Sequence, residues 1–168
     1  MMDNDLMLKQ PGAYSAWGAY GNSKLANVLF TRELARRLQV AGKDSDVASF
    51  CLHPGVCRTD LWRYIVGAAP KVPRALLPVL GLAALPVALP LALPAATAAL
   101  AFTKSSKEGA QTQIYLAASN KLDLRAASGE YFDNFKVAKT SESGRNMATA
   151  NWLWQQSETL TGVQFNGL

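Results

Sequence analysis

Tyr20 and Lys24 stand four residues apart in Ala19-Tyr20-Gly21-Asn22-Ser23-Lys24-Leu25-Ala26-Asn27. On a helix that spacing puts both side chains on one face, one turn apart. The pairing answers a protonation problem. A free phenol titrates near ~10, too high for ready proton exchange at neutral pH. An ammonium alongside favours the phenolate, and a second positive charge in a partly dry site adds to the effect. The chemistry on offer is a tyrosine general acid or base working on an alcohol or a carbonyl oxygen. Tyr-x3-Lys is easily met by chance, and the plainer reading makes Tyr20 an interfacial aromatic and Lys24 a solvated helix charge. Of the five tyrosines, however, Tyr20 alone has this spacing, and it opens the best helix in the chain.

A second element lies about thirty residues on. Asp46 to Leu52 is a short, mostly apolar run that ends at His53-Pro54-Gly55-Val56-Cys57-Arg58-Thr59-Asp60-Leu61. It reads as a buried parallel strand leading into a loop. Pro-Gly at the carboxyl end of a strand lets the backbone turn sharply and approach a ligand closely. Open α/β sheets bind their ligands at that end.

The elements that must position these residues follow from periodicity. Residues 1–17 read as loop, with Pro11-Gly12 as the clearest turn signal. From Gly18 to about Val40, Leu25, Val28, Leu29, Ala35 and Leu38 recur at helical spacing, arginines gather at the end, and Ala41-Gly42 stops the helix. Glu108 to Ser119 is predicted as a second helix, Gly129 to Phe135 as a second strand, and Asn146 to Leu160 as a last helix stopped by Gly162. Helix, strand, long insertion, helix, strand, helix is an α/β order.

Together, Tyr20, Lys24 and Pro54-Gly55-x3-Thr59 resemble the active-site half of the short-chain dehydrogenase/reductase family. The run Tyr20-Gly21-Asn22-Ser23-Lys24-Leu25-Ala26-Asn27-Val28-Leu29-Phe30-Thr31-Arg32-Glu33-Leu34-Ala35 is similar to its retinol dehydrogenase-like branch. So are His53-Pro54-Gly55-Val56, Glu108-Gly109-Ala110-Gln111-Thr112, Ser128-Gly129-Glu130-Tyr131-Phe132 and the closing Asn146 to Gly162. The resemblance covers nearly all of the chain except Ala75 to Phe102. It implies a partial Rossmann-like fold, the C-terminal part of a doubly wound parallel sheet with about two strands and three or more helices. It also implies hydride transfer between NADP(H), with NAD left open, and an apolar alcohol or carbonyl such as a retinoid-like or lipid molecule. Tyr20 would be the proton donor or acceptor, and Lys24 would bind the ribose hydroxyls and favour the phenolate. The Pro54-Gly55 loop would hold the nicotinamide by groups at Val56 and Thr59. A homodimer through the 18–40 helix is a further expectation.

Part of the family pattern is not in these 168 residues. No glycines have the Thr-Gly-x3-Gly-x-Gly spacing that places a helix N-terminus on a pyrophosphate. The Asn-Asn-Ala-Gly strand and the catalytic asparagine are missing as well. Met7 stands where the spacing asks for the catalytic serine, and Ser15 has the wrong local context. Two readings follow: the C-terminal half of a longer NADP-linked enzyme, or a short protein without redox chemistry that acts by binding. Either leaves one sheet edge and one helix face short of partners, so marginal stability alone is expected.

Composition bounds the rest. A 49% hydrophobic, 17% charged chain of net charge +5 is globular or membrane-touching, and no basic–aromatic interleaving marks a nucleic-acid binder. The start, Met1-Met2-Asp3-Asn4-Asp5, lacks the basic-then-apolar pattern of a secretory signal. Cys51 and Cys57 make no disulfide framework and suit a reduced, intracellular setting. Cys51, His53 and Cys57 have no fourth ligand in view, so no metal site is assigned. Residues 75–102 carry no charge but hold Pro78, Pro86, Pro90 and Pro94. The length would span a bilayer, yet interior prolines at ~3 kcal/mol each argue against one straight helix. Two readings stay open there: a lid lying in a membrane interface, at the endoplasmic reticulum or a plastid, or a disordered low-complexity insertion.

Overall fold

The computed structural model describes residues 6–57 and 103–165. Their elements run α1 (Ala16–Val40), β1 (Cys51–His53), α2 (Ser106–Gly109), α3 (Gln111–Ala118), α4 (Leu124–Ala127), β2 (Tyr131–Asp133), β3 (Lys136–Val137), a 3-10 turn (Ser143–Arg145) and α5 (Met147–Thr161). Two compact units divide the chain: Met1–His53 with Thr112–Leu168, and Pro54–Gln111. The insertion at 75–102 and Thr59 lie outside the described residues. Among those residues no helix is long and apolar enough to cross a membrane.

In the first unit, α1 begins two residues earlier than its apolar period suggests, because Ser15 caps it. Ser15 is extended (φ −133°, ψ 141°) and its Oγ accepts from the Gly18 amide at 3.1 Å. That bond satisfies one of the four orphan amides of a helix start. The serine whose local context did not suit catalysis is therefore a helix cap. At the other end Gly42 takes φ +69°, and the Lys43 amide closes onto the Leu38 carbonyl at 2.9 Å. The inner face of α1 packs on α5: Leu29, Ala150 and Leu153 are buried, with Leu25, Ala26, Trp152 and Leu6 around them. Each buried aliphatic side chain contributes about 1.5–3 kcal/mol. Asn146 caps α5 by accepting from the Thr149 amide at 3.0 Å, and Gly162 (φ 70°) ends it, as the Asn146-to-Gly162 pattern predicts.

The sheet order is β1-β2-β3. β1 and β2 are parallel, with Cys51, Leu52 and His53 opposite Tyr131, Phe132 and Asp133. The α/β class stands. β1 is shorter and later than the 46–52 expectation because Lys43 to Val47 closes a helical turn, Val47 amide to Lys43 carbonyl at 3.0 Å. A third strand, β3, pairs antiparallel with β2. It is a product of the two-residue turn Asn134-Phe135, both at positive φ (48° and 66°), the conformation that matches strand twist in tight hairpins. A second apolar cluster of Leu116, Ala127 and Phe132 covers the sheet, and Phe50 meets Phe132 edge-on at 5.9 Å.

In the second unit the segment after β1 is tied to residues near position 104. The Lys104 amide donates to the Val56 carbonyl at 2.8 Å, and Cys57 and Lys104 form an isolated parallel bridge. The single helix expected over 108–119 is two helices. A capping box starts α2: the Glu108 amide donates to Ser105 Oγ at 3.2 Å, and the Ser105 amide donates to Glu108 Oε2 at 2.7 Å.

Candidate functional site

The N-terminal turns of α1 present a stripe of four positions on one face: Trp17, Tyr20, Gly21 and Lys24. Tyr20 is 49% exposed and Trp17 73% exposed, whereas the buried residues of α1 begin at Leu29. Lys24 Nζ lies 5.3 Å from the centroid of the Tyr20 ring, a cation–π distance. On the other side the Trp17 indole meets Tyr20 edge-to-face, with centroids 6.2 Å apart and planes at 84°. Helix geometry alone brings Tyr20 and Lys24 together. Trp17 escaped the sequence reading, although its place three residues before Tyr20 was the available signal.

Pro54, Gly55 and Val56 belong to the other unit and are described within it. Gly55 takes φ +84°, and a Cβ there would lie 2.9 Å from Lys104 Cδ and 3.1 Å from its Nζ. Both the left-handed backbone and the crossing lysine stem require glycine. The Val56 side chain is exposed, and its carbonyl is taken by Lys104. Cys57 packs against Gly109, where any Cβ would strike its sulfur, and Cys57 Sγ lies 3.5 Å from the Pro54 carbonyl it donates to. Lys104 and Gly109 were also missed, being far in sequence from the loop they fix.

Behind the exposed turn, α1 is locked to α5 by a buried charge cluster. Glu33, 0% exposed, accepts from Arg36 Nε at 2.9 Å, Arg36 Nη2 at 2.7 Å and Arg37 Nε at 2.8 Å. Burial alone would push its carboxyl up, but the two guanidinium groups outweigh this and hold it below the usual carboxylate range. Arg37 also lies over the Trp154 ring at 4.6 Å and donates to Asn151 Oδ1 at 3.4 Å. Burial pushes the Cys51 thiol up, which suits a packed, unreactive cysteine. Among the described residues no group of three or more His, Cys, Asp or Glu could hold a metal ion.

The chain is 36% identical over 156 residues to retinol dehydrogenase 14 of Mus musculus and 37% identical over 158 residues to retinol dehydrogenase 12 of Homo sapiens. It is 33% identical over 164 residues to retinol dehydrogenase 13 of Homo sapiens. These alignments take in 93%, 94% and 97% of the chain. Nearly the whole chain is thus similar to part of the retinol dehydrogenases, which are short-chain dehydrogenases/reductases. It spans about two-fifths of the relatives' own length, 39%, 40% and 42% respectively. No family model matches it, and no solved structure matches it significantly. Tyr20 and Lys24 lie on an exposed turn near the start of α1.

Proposed function

We propose that the chain carries the proton-transfer portion of a nicotinamide-dependent oxidoreductase acting on an apolar alcohol or carbonyl. The observation that carries this reading is the Tyr20–Lys24 pair on one exposed turn of a capped helix, in a chain related to retinol dehydrogenases. The residues present fit the nicotinamide–ribose end of such a nucleotide. Gly55 holds a left-handed backbone (φ +84°) beside an exposed Val56, and no carboxylate of the described residues pairs with Lys24. The phosphate end has no matching glycine spacing in these residues.

A bound nicotinamide nucleotide supplies or accepts the hydride. Tyr20 Oη then holds the proton at the substrate oxygen: it takes the hydroxyl proton when an alcohol is oxidised and returns it when a carbonyl is reduced. Lys24, with three donors on a flexible stem 5.3 Å from the Tyr20 ring centroid, would bind ribose hydroxyls. Groups at Pro54, Gly55, Val56 and Thr59 would hold the carboxamide. NADP(H) is the proposed nucleotide.

Titrating NADPH fluorescence with the full chain tests the reading. Saturable enhancement, and NADPH oxidation on adding decanal, are the expected results. Absence of saturable binding overturns it for this polypeptide and leaves the non-catalytic binding reading.

A further inference from the structure

The outer stripe of α1 has a shape that acid/base chemistry alone does not require. Trp17, 73% exposed, is among the most exposed large apolar side chains of the described residues. One turn further along the same stripe is Gly21, where a Cβ would meet nothing within 4 Å. Beside that bare position stand the Tyr20 ring, held edge-to-face by Trp17, and Lys24 Nζ, 5.3 Å from the ring centroid. Indole on one side, an open glycine floor and two polar heads at the far end make a notch suited to an amphiphile. Its apolar body would lie on the indole while its oxygen meets the phenol and the ammonium.

We propose that Trp17 is a specificity-determining residue, the wall against which the apolar part of the alcohol or carbonyl substrate packs while its oxygen reaches Tyr20. This rests on the reading of Tyr20 given above and adds the substrate contact to it. A rigid aromatic with only two side-chain torsions supplies contact area at small entropic cost. Because the wall is apolar and featureless, it selects for chain length rather than for a particular functional group. Long aliphatic or polyene alcohols and aldehydes gain from it, and two-carbon ones do not.

The probe is decanal, with acetaldehyde as the short control, and the protein is the full chain labelled with 5-fluorotryptophan. Trp17→Phe assigns the Trp17 resonance. Decanal is expected to shift that resonance saturably while leaving that of Trp152 in place, and acetaldehyde is expected to shift neither. Trp17→Ala, at an exposed position that the fold does not need, is expected to raise the half-saturating decanal concentration about tenfold, and Trp17→Phe less than threefold. A Trp17 resonance that ignores decanal, or a Trp17→Ala chain that binds it as tightly as wild type, overturns the proposal. So does a shift that follows protein concentration instead of decanal, which would mean that a second copy covers the stripe. The two failures are separable. A Trp17 response without NADPH binding sinks the oxidoreductase reading alone, and NADPH-dependent turnover without a Trp17 response sinks the wall alone.

Discussion

Replacing Glu33 by Gln is the sharpest perturbation of the α1–α5 clasp. The amide keeps the carboxylate's shape, so no cavity opens, but the charge is lost. Its oxygen can still accept from Arg36 Nη2 and Arg37 Nε, while its NH2 faces Arg36 Nε donor to donor. One charge-assisted bond of about 1.5–3 kcal/mol is lost outright, and the two others weaken because their acceptor is now neutral although their guanidinium donors stay charged. Arg36 is 47% exposed and regains water, and the buried carboxylate no longer costs its desolvation. The net loss is then about 2–3 kcal/mol, equivalent to roughly 4–12 °C in Tm for a chain of this size. The pH dependence follows from the depressed Glu33 carboxyl. Its stabilisation is present above the unfolded carboxylate range of about 4.3 and is lost as pH falls through the lower folded value. Thermal melts by circular dichroism should show the full gap between wild type and E33Q near neutral pH, closing on acidification below about pH 4. A gap under about 1 °C at neutral pH, or one that persists unchanged at about pH 3, refutes the assignment of the clasp to an ionised Glu33.

Ser15→Ala should cost about 1 kcal/mol of stability by removing the α1 cap, with NADPH-dependent turnover of decanal retained, which separates a capping serine from a catalytic one. Leu29→Ala, at a site with 0% exposure between α1 and α5, should cost about 2–5 kcal/mol in urea denaturation at unchanged m-value. Tyr20→Phe should lower NADPH-dependent turnover of decanal by about 10²–10⁴-fold while leaving nucleotide binding within about threefold, as stopped-flow and fluorescence titration would show.

How legible these features were depended on how local their causes are. The Tyr20–Lys24 pair was readable because one helix sets the distance, and the α1 and α5 ends were readable because Gly42, Asn146 and Gly162 act within one turn. The strands were placed to within a few residues, since β1 is shortened by the Lys43–Val47 turn, which no apolar pattern announces. The start of α2 had a local signature, the capping box Ser105-x-x-Glu108. The β2–β3 hairpin was hidden because Asn134-Phe135 places a bulky residue at positive φ, against the usual turn preference. Phe135 meets Tyr115 edge-on at 5.7 Å, a tertiary contact that offsets the backbone cost. Lys104 over Gly55, Gly109 under Cys57 and the Arg37–Trp154 stack all join residues distant in sequence, where no single-chain periodicity can point.

These causes also divide α1 into two halves with different physics. From Leu29 onward it is held by burial, by the Glu33 cluster and by Trp154 under Arg37, so opening it means breaking the α1–α5 interface. Before that point only Leu25 and Ala26 reach that core, and the first turns are held by the Ser15 cap and by ring contacts on their own surface. Local stability should therefore fall toward the N-terminus, and amide exchange should be fastest in the turn that bears Trp17 and Tyr20. That gradient suits a proton-transfer residue. The buried half fixes where the helix axis points, while the exposed half keeps Tyr20 and Lys24 accessible and free to close on a ligand. If the exchange gradient ran the other way, with the Tyr20 turn better protected than Leu38, the helix would be anchored at its chemical end and the exposed stripe would have to be a buried interface.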